Sequence, residues 1–409
     1  MILPTFLVGI YQWAIQNQWA LLFYAVVILI IVLLRKRIEW QVFGIGLYKT
    51  KVGLKLMERL GTKYRGLVQL LGYIGVGVGF IGMLFIVYNL LFGFYNLIAN
   101  PAAPAVISPV LPGFNIPGTE LKVPLITGWI ALFVVIVIHE FSHGVVSRAH
   151  KIRVKSSGLL VFGPIGGAFV EPDEKRLLKE QDTVQYSLFA AGPFSNIITA
   201  FIFVFLSAFI IAPLVLSMTT PVGVEIVSVT PGSPAANASV AAGMVVTGVN
   251  GIAVTSYKEM GAQLDSVRPG EAVTVTTDKS ASDASTTIVV VTGQSPSDAT
   301  SKKGYLGVNL RDKRDPKVSG PWFLGLLAIV NWIKDLLQWL VILSLGIGLA
   351  NLLPLGPVDG GRMLQIACQK ITGDSRKHGR GDWWWRRISW MTFALIIVLL
   401  LVPIVRAII

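Results

Sequence analysis

The chain has 409 residues, of which 53% are hydrophobic and only 14% charged, and its mean hydropathy is positive. That balance excludes an ordinary soluble enzyme and places the protein among multi-span membrane proteins. A net charge of +13 raises nucleic acid as a partner. The basic excess falls, however, in short segments beside apolar runs, so a positive-inside topology accounts for it and no nucleic-acid partner is expected. A single cysteine, Cys368, excludes an intrachain disulfide framework.

In chain order, a moderately polar stretch, 1–18, precedes the apolar run 19–34 and then Arg35-Lys36-Arg37. The charges follow the apolar core and no small-residue cleavage site is evident. The run therefore reads as an uncleaved first span with its C-terminal end in the cytoplasm. Segment 35–65, rich in Lys and Arg, reads as a cytoplasmic loop carrying a surface-lying helix near 54–60. The second span, 67–98, returns outward. Its glycines at 72, 75, 77, 79 and 82 serve either close helix contact or ordinary lipid-facing packing. Segment 100–118, rich in Pro and Gly without a basic residue, reads as an outer loop or a re-entrant segment.

The third span, 125–146, ends in Ile136-Val137-Ile138-His139-Glu140-Phe141-Ser142-His143-Gly144. On a helix, His139 and His143 project from the same face one turn apart. That is the spacing a zinc ion needs, and Glu140 then lies beside the metal, where it can take a proton from a water. Residues 125–138 carry no charge. An ionisable group in hydrocarbon costs on the order of 3 kcal/mol, so its presence there marks function. Arg148, Lys151, Arg153 and Lys155 follow, which turns this end of the helix toward the cytoplasm.

Two β-prone runs around a Gly/Pro turn in 158–170 suggest a hairpin, whose edge either pairs with an extended substrate or merely connects spans. The next span, 186–213, contains Gly192-Pro193-Phe194-Ser195-Asn196. Pro193 is expected in its first turns, starting or kinking the helix. Asn196 in hydrocarbon wants a partner, either an interhelical hydrogen bond or an active-site contact. From 221 to 310 Val, Thr, Ser and Gly dominate, as in a soluble insert. Segments 223–236 and 242–251, with Lys303-Gly304-Tyr305-Leu306-Gly307-Val308, look like a circularly permuted PDZ domain. The last segment resembles the loop and strand that grip a peptide C-terminus. Such a domain binds an extended peptide by strand addition; the alternative is a size-excluding plug over the membrane core.

Residues 322–339 read as an outer interfacial helix leading into an inward span, 340–353. That span ends in Asn351-Leu352-Leu353-Pro354-Leu355-Gly356-Pro357-Val358-Asp359-Gly360-Gly361. The basic segment 362–387, with Trp383-Trp384-Trp385, reads as cytoplasmic and interface-anchored, and 388–405 is the last span. Two histidines do not complete a zinc site. A third histidine six residues beyond His143 is missing, because Ala149 stands there; His150 is out of register and His378 lies in a hydrophilic loop. Asp359 is the strong candidate, since its span is predicted to run the same way as the motif helix and to reach the same depth. Its other role would be a helix cap. The prolines and glycines around it break the helix and free backbone groups.

His139-Glu140-x-x-His143, the segment from Gly192-Pro193 to Asn196, the PDZ-like insert and Asn351-x-x-Pro354-x-x-Pro357-x-Asp359-Gly360 together resemble the site-2 protease family of intramembrane metalloproteases, over 125–364. Gly356 departs from the proline many members have. The resemblance implies one zinc per chain held by His139, His143 and Asp359, with Glu140 activating water and Asn351 contacting the substrate backbone or the oxyanion. It implies single-span membrane-protein substrates, cut within or near the span in regulated intramembrane proteolysis. The fold expected is a polytopic α-helical membrane protein of about six transmembrane helices with an inserted mixed-β PDZ domain. Its divisions are 1–66, the first span and basic loop, and 67–124, the second span and outer loop. Then follow 125–219, the first part of the protease core; 220–318, an extracytoplasmic PDZ-like domain; and 319–409, the second part of the core and the last span. Expected partners are transmembrane substrates, a peptide or protein ligand of the PDZ domain, and the bilayer. A scaffold with a structural metal would leave Glu140 without a task, and a metal transporter would want polar residues along several spans.

Overall fold

The computed structural model describes residues 11–41, 44–99, 107–114, 122–279, 282–295, 302–376 and 378–408. Runs of Leu, Ile, Val and Phe long enough to cross hydrocarbon satisfy their backbone groups internally as helices. Among the described residues six helical stretches meet that length and composition: Gln18–Arg37, Arg65–Ala99, Leu125–Ala149, Asp182–Met218, Pro321–Asn351 and Arg380–Arg406. The expected polytopic fold of about six spans is thus present. The chain divides into two compact units, Met1–Ala208 with Lys334–Ile409, and Phe209–Ile333.

In the first unit, α1 (Gln18–Leu34) is followed by β1 (Glu39–Trp40), β2 (Ile45–Thr50), α2 (Leu54–Lys63) and α3 (Arg65–Ala99). On α3, Gly72, Gly75, Gly79 and Gly82 are buried. A Cβ on Gly79 would stand 3.0 Å from Met363, and one on Gly82 would stand 2.5 Å from Leu352. These glycines therefore serve close helix contact, whereas Gly77 faces open space. Next come α4 (Leu125–Ala149), β3 (Val154–Phe162), β4 (Ile165–Pro172) and α5 (Asp182–Leu206). The outer-loop reading of 100–118 lies largely outside the described residues. Within it, the carbonyl of Pro112 accepts a hydrogen bond from Tyr24 Oη at 3.0 Å.

Three expectations are corrected here. The basic loop after α1 is no mere loop: β1 and β2 join β3 and β4 in a four-stranded antiparallel sheet of order β1-β2-β3-β4. α2 does not simply lie on a surface, because Met57 is buried and sits where a side chain on Gly144 of α4 would be. Glu58 pairs with Arg148 on α4. Finally, α5 starts at Asp182 rather than near 186, so Pro193 lies inside the helix and not in its first turns. The added first turn, 182–185, is polar in sequence, which hides it, yet Gln185 is buried.

The second unit carries α6 (Ala212–Met218), β5 (Thr219–Val229), β6 (Val245–Val249), β7 (Ile252–Ala253), α7 (Tyr257–Leu264), β8 (Ala272–Lys279), β9 (Ser282–Val291) and β10 (Val308–Pro316). The antiparallel sheet runs β10-β5-β6-β8-β9, with β7 on β6. The last strand, β10, pairs with the first, β5. Its core is Val224, Ile226, Val246, Val249, Val273 and Val275 with Met260 of α7. α7 is capped at its start: Ser256 Oγ accepts from Glu259 N, and Glu259 Oε2 accepts from the N–H of Thr255 just before the cap.

The interfacial helix and inward span predicted for 322–353 form one helix, α8 (Pro321–Asn351). α9 (Asp359–Thr372) and α10 (Arg380–Ile408) complete the chain; α10 starts early enough to carry Trp383, Trp384 and Trp385.

Candidate metal centre

α4 contains no proline and presents His139 and His143 at helical spacing, with exposures of 5% and 8%. Their Nε2 atoms are 3.2 Å apart. The third member comes from 220 residues downstream, where Pro354 and Pro357 end the helical path and α9 starts at Asp359. Gly360 and Gly361 make that start possible. A Cβ on either would strike the backbone of Leu352 or Leu355, so only glycine lets α9 begin this close to the end of α8. Asp359 Oδ2 lies 3.1 Å from His139 Nε2 and 3.4 Å from His143 Nε2.

These three side chains suit zinc. Tetrahedral ligands at about 2.0–2.2 Å from the ion stand about 3.3–3.6 Å from one another. The triangle of 3.1, 3.2 and 3.4 Å is close to that, and two imidazoles with one carboxylate are a donor set of open catalytic zinc sites. Among the described residues, the group whose ligand atoms all lie within 4.8 Å of one another is His139, His143 and Asp359.

The surroundings set the remaining valences. His143 Nδ1 donates to Leu188 O of α5 at 2.8 Å, which leaves its Nε2 lone pair facing the triad. His139 Nδ1 is 3.2 Å from Asn196 Nδ2, also on α5. Gly192 of α5 lies directly against both rings: a Cβ there would stand 2.5 Å from His139 Nε2 and 2.5 Å from His143 Nε2. Glu140 Oε2 accepts from Val170 N of β4 at 3.1 Å.

Asn351 does not join the triad. Its Nδ2 donates to Ile347 O of its own helix at 3.0 Å. His150 caps the end of α4 beside Ser187, where burial lowers its pKa, and His378 sits by Arg386. A polar cavity of ≈940 Å³ lined by Gln185, Phe189, Arg362 and Gln365 adjoins α5 and α9, and no triad residue lines it. The contacts of Gly192, Leu188 O and Val170 N–H are beyond sequence reasoning. Gly192 carries a signal through its motif, while the two backbone groups carry none.

The sequence pattern of Peptidase family M50 matches residues 127–397, more than half of the chain, and spans both triad segments. The chain belongs to Peptidase family M50. It is therefore a member of the site-2 protease family and a multi-pass membrane metallopeptidase. An uncharacterized protein of Methanocaldococcus jannaschii is 27% identical over 344 residues, covering 83% of each chain. Zinc metalloprotease RasP of Geobacillus kaustophilus is 38% identical over 73 residues, 17% of this chain and 16% of RasP. The PDZ domain of an SdrC-like protein from Listeria monocytogenes matches 22% of this chain and 90% of its own. Its identity is 25% and its TM-score 0.20.

Proposed function

We propose that the protein is an intramembrane zinc metalloprotease that hydrolyses peptide bonds within or near the transmembrane segment of membrane-protein substrates, in regulated intramembrane proteolysis. The observation that carries this reading is the convergence of Asp359, at the start of α9, with His139 and His143, which lie with Glu140 on a helix long enough to span a bilayer. These three residues would hold one zinc per chain. When bound, zinc supplies Lewis-acid polarisation of the scissile carbonyl and lowers the pKa of water toward ~7.

The chain's own residues do the rest. Glu140 takes the proton of the attacking water on its carboxylate and returns it to the leaving amine nitrogen as the C–N bond breaks. Until then, the Val170 N–H holds that carboxylate in place. Because residues of an antiparallel strand alternate sides, the outward N–H of Val170 means that Ala168 and Gly166 face the same edge of β4. With glycine at 166 and only a methyl at 168, an extended substrate has room to pair there. Asn351 contacts the substrate backbone or the oxyanion after releasing Ile347 O.

In this reading 125–219 and 319–409 are the two parts of the protease core and 220–318 is an extracytoplasmic PDZ domain. The basic residues after α4 favour an active site facing the cytoplasm. The PDZ domain has β10 at its sheet edge, tied to α7 by Tyr257 N donating to Asp312 Oδ1 at 2.6 Å. A peptide or protein ligand adds as a strand along that edge.

The test is bound zinc per chain and cleavage of a membrane-span reporter, measured on the same purified samples. His139→Ala and Asp359→Asn lose zinc and cleavage together. Glu140→Gln keeps zinc while cleavage falls by about 10²–10⁴-fold. Zinc and cleavage both surviving in Asp359→Asn would remove the third ligand; cleavage by Glu140→Gln at the wild-type rate would remove the mechanism.

A further inference from the structure

We propose that Asn196 is a positioning residue that fixes His139 in the tautomer offering Nε2 to the metal. The inference rests on the zinc reading above and concerns an atom that reading leaves unassigned. An imidazole that ligates through Nε2 carries its proton on Nδ1, and that N–H needs an acceptor. For His143 the acceptor is the carbonyl of Leu188. For His139 the group at Nδ1 is the amide of Asn196, 3.2 Å away.

The amide of an asparagine can face a neighbour with either its oxygen or its nitrogen, and the hydrogen-bond network decides which. With Nδ2 toward His139, the ring accepts through Nδ1 and Nε2 bears the proton, which closes it to a metal. In that orientation Asn196 Oδ1 is buried without a partner. With Oδ1 toward His139, the Nδ1–H donates to it and Nε2 keeps its lone pair for the triad. Asn196 is 0% exposed. A Cβ on Gly348 of α8 would stand 3.2 Å from the Asn196 Cβ, so the helices close over this side chain. It has no room to swing away, and rotation of the amide about its last bond is the freedom left to it. Both histidines thus receive the same tautomer from α5, one from a main-chain carbonyl and one from a side-chain amide. Partners of this kind are worth about 10–100-fold in metal affinity.

Asn196→Asp and Asn196→Leu both keep the branched four-atom outline of the side chain; aspartate accepts but cannot donate, and leucine does neither but is bulkier. Asn196→Ala, smaller and equally unable to accept, controls for that bulk and is expected to weaken zinc binding as Asn196→Leu does. Zinc affinity is read by competition with a chromophoric chelator, and the ligand field by the visible spectrum of the cobalt-substituted full-length protein. The expected result is zinc binding about 10–100-fold weaker in Asn196→Leu, with affinity and cobalt spectrum kept in Asn196→Asp. Equal weakening in Asn196→Asp and Asn196→Leu, or unchanged affinity in Asn196→Leu, overturns the proposal while leaving the metal site standing. A wild-type protein that binds no zinc overturns the metal reading and this inference with it. Should the aspartate variant fail to fold, histidine ¹⁵N shifts of the zinc-loaded wild type decide. A protonated Nδ1 on His139 supports the assignment, and a protonated Nε2 refutes it.

Discussion

The two compact units bury different chemistry. In the sheet unit the core is Val224, Ile226, Val246, Val249, Val273 and Val275, apolar side chains whose packing depends on volume and shape. Around the triad, His139, His143, Ser147, Ser187 and Asn196 are buried, and these are held atom by atom. Ser147 Oγ donates to His143 O at 2.7 Å and His143 Nδ1 donates to Leu188 O at 2.8 Å. A core of the first kind tolerates volume-conserving exchange at less than about 1.5 kcal/mol. In a core of the second kind one misplaced atom removes the site while the fold around it stands.

The largest effect expected from this difference is at Gly192. A methyl there would meet three ring atoms of His139 and His143 at 2.5 Å, closer than carbon approaches carbon or nitrogen. α5 is a helix and cannot yield locally, so the rings must move apart. Gly192→Ala is expected to lose bound zinc and to lower cleavage by at least about 100-fold, with the helical content of the protein unchanged by circular dichroism. Zinc at the wild-type level would show that the rings have slack, and the contrast between the two cores would weaken.

The same contrast governs how much was legible in the sequence. His139, Glu140 and His143 are visible because helical spacing is local, and Asp359 follows from the depth its span reaches. The strand Ile45–Thr50 is invisible because its partner, 157–162, lies more than a hundred residues away. Six residues containing a glycine, a lysine and a threonine carry no register of their own. Pro193 falls near the start of the predicted span because Asp182 and Gln185, before it, look like loop residues; the structure buries Gln185 and extends the helix back to Asp182. The amphipathic, tryptophan-bearing stretch at 322–339 suggests a separate interfacial element, yet no proline interrupts it before Asn351, and it continues as one helix. The acceptor for His143 and the donor to Glu140 are backbone groups of Leu188 and Val170, which no side-chain pattern announces.

In the sheet unit the expected responses are graded. Val246 is 0% exposed, and Val246→Ala removes two methyl groups from a packed core. A loss of about 2 kcal/mol is expected, seen as an earlier unfolding transition of the sheet unit, with zinc content equal to wild type. A fall in zinc content would mean that the two kinds of core do not respond separately.

The smallest effect provides the mirror image of Gly192. Gly261 also sits in a helix, α7, but a Cβ there would meet nothing within 4 Å. With no neighbour to strike, only the backbone matters. Alanine restricts the unfolded chain and favours helix by about 0.4–1 kcal/mol relative to glycine. Gly261→Ala is therefore expected to raise the transition temperature of the sheet unit slightly and to leave zinc and cleavage at wild-type values. The two substitutions are chemically identical and both helical, so their opposite outcomes isolate the neighbours as the cause. A destabilised Gly261→Ala would place an unrecognised contact against α7, the helix that flanks β10, and would direct the search for a bound peptide to that face.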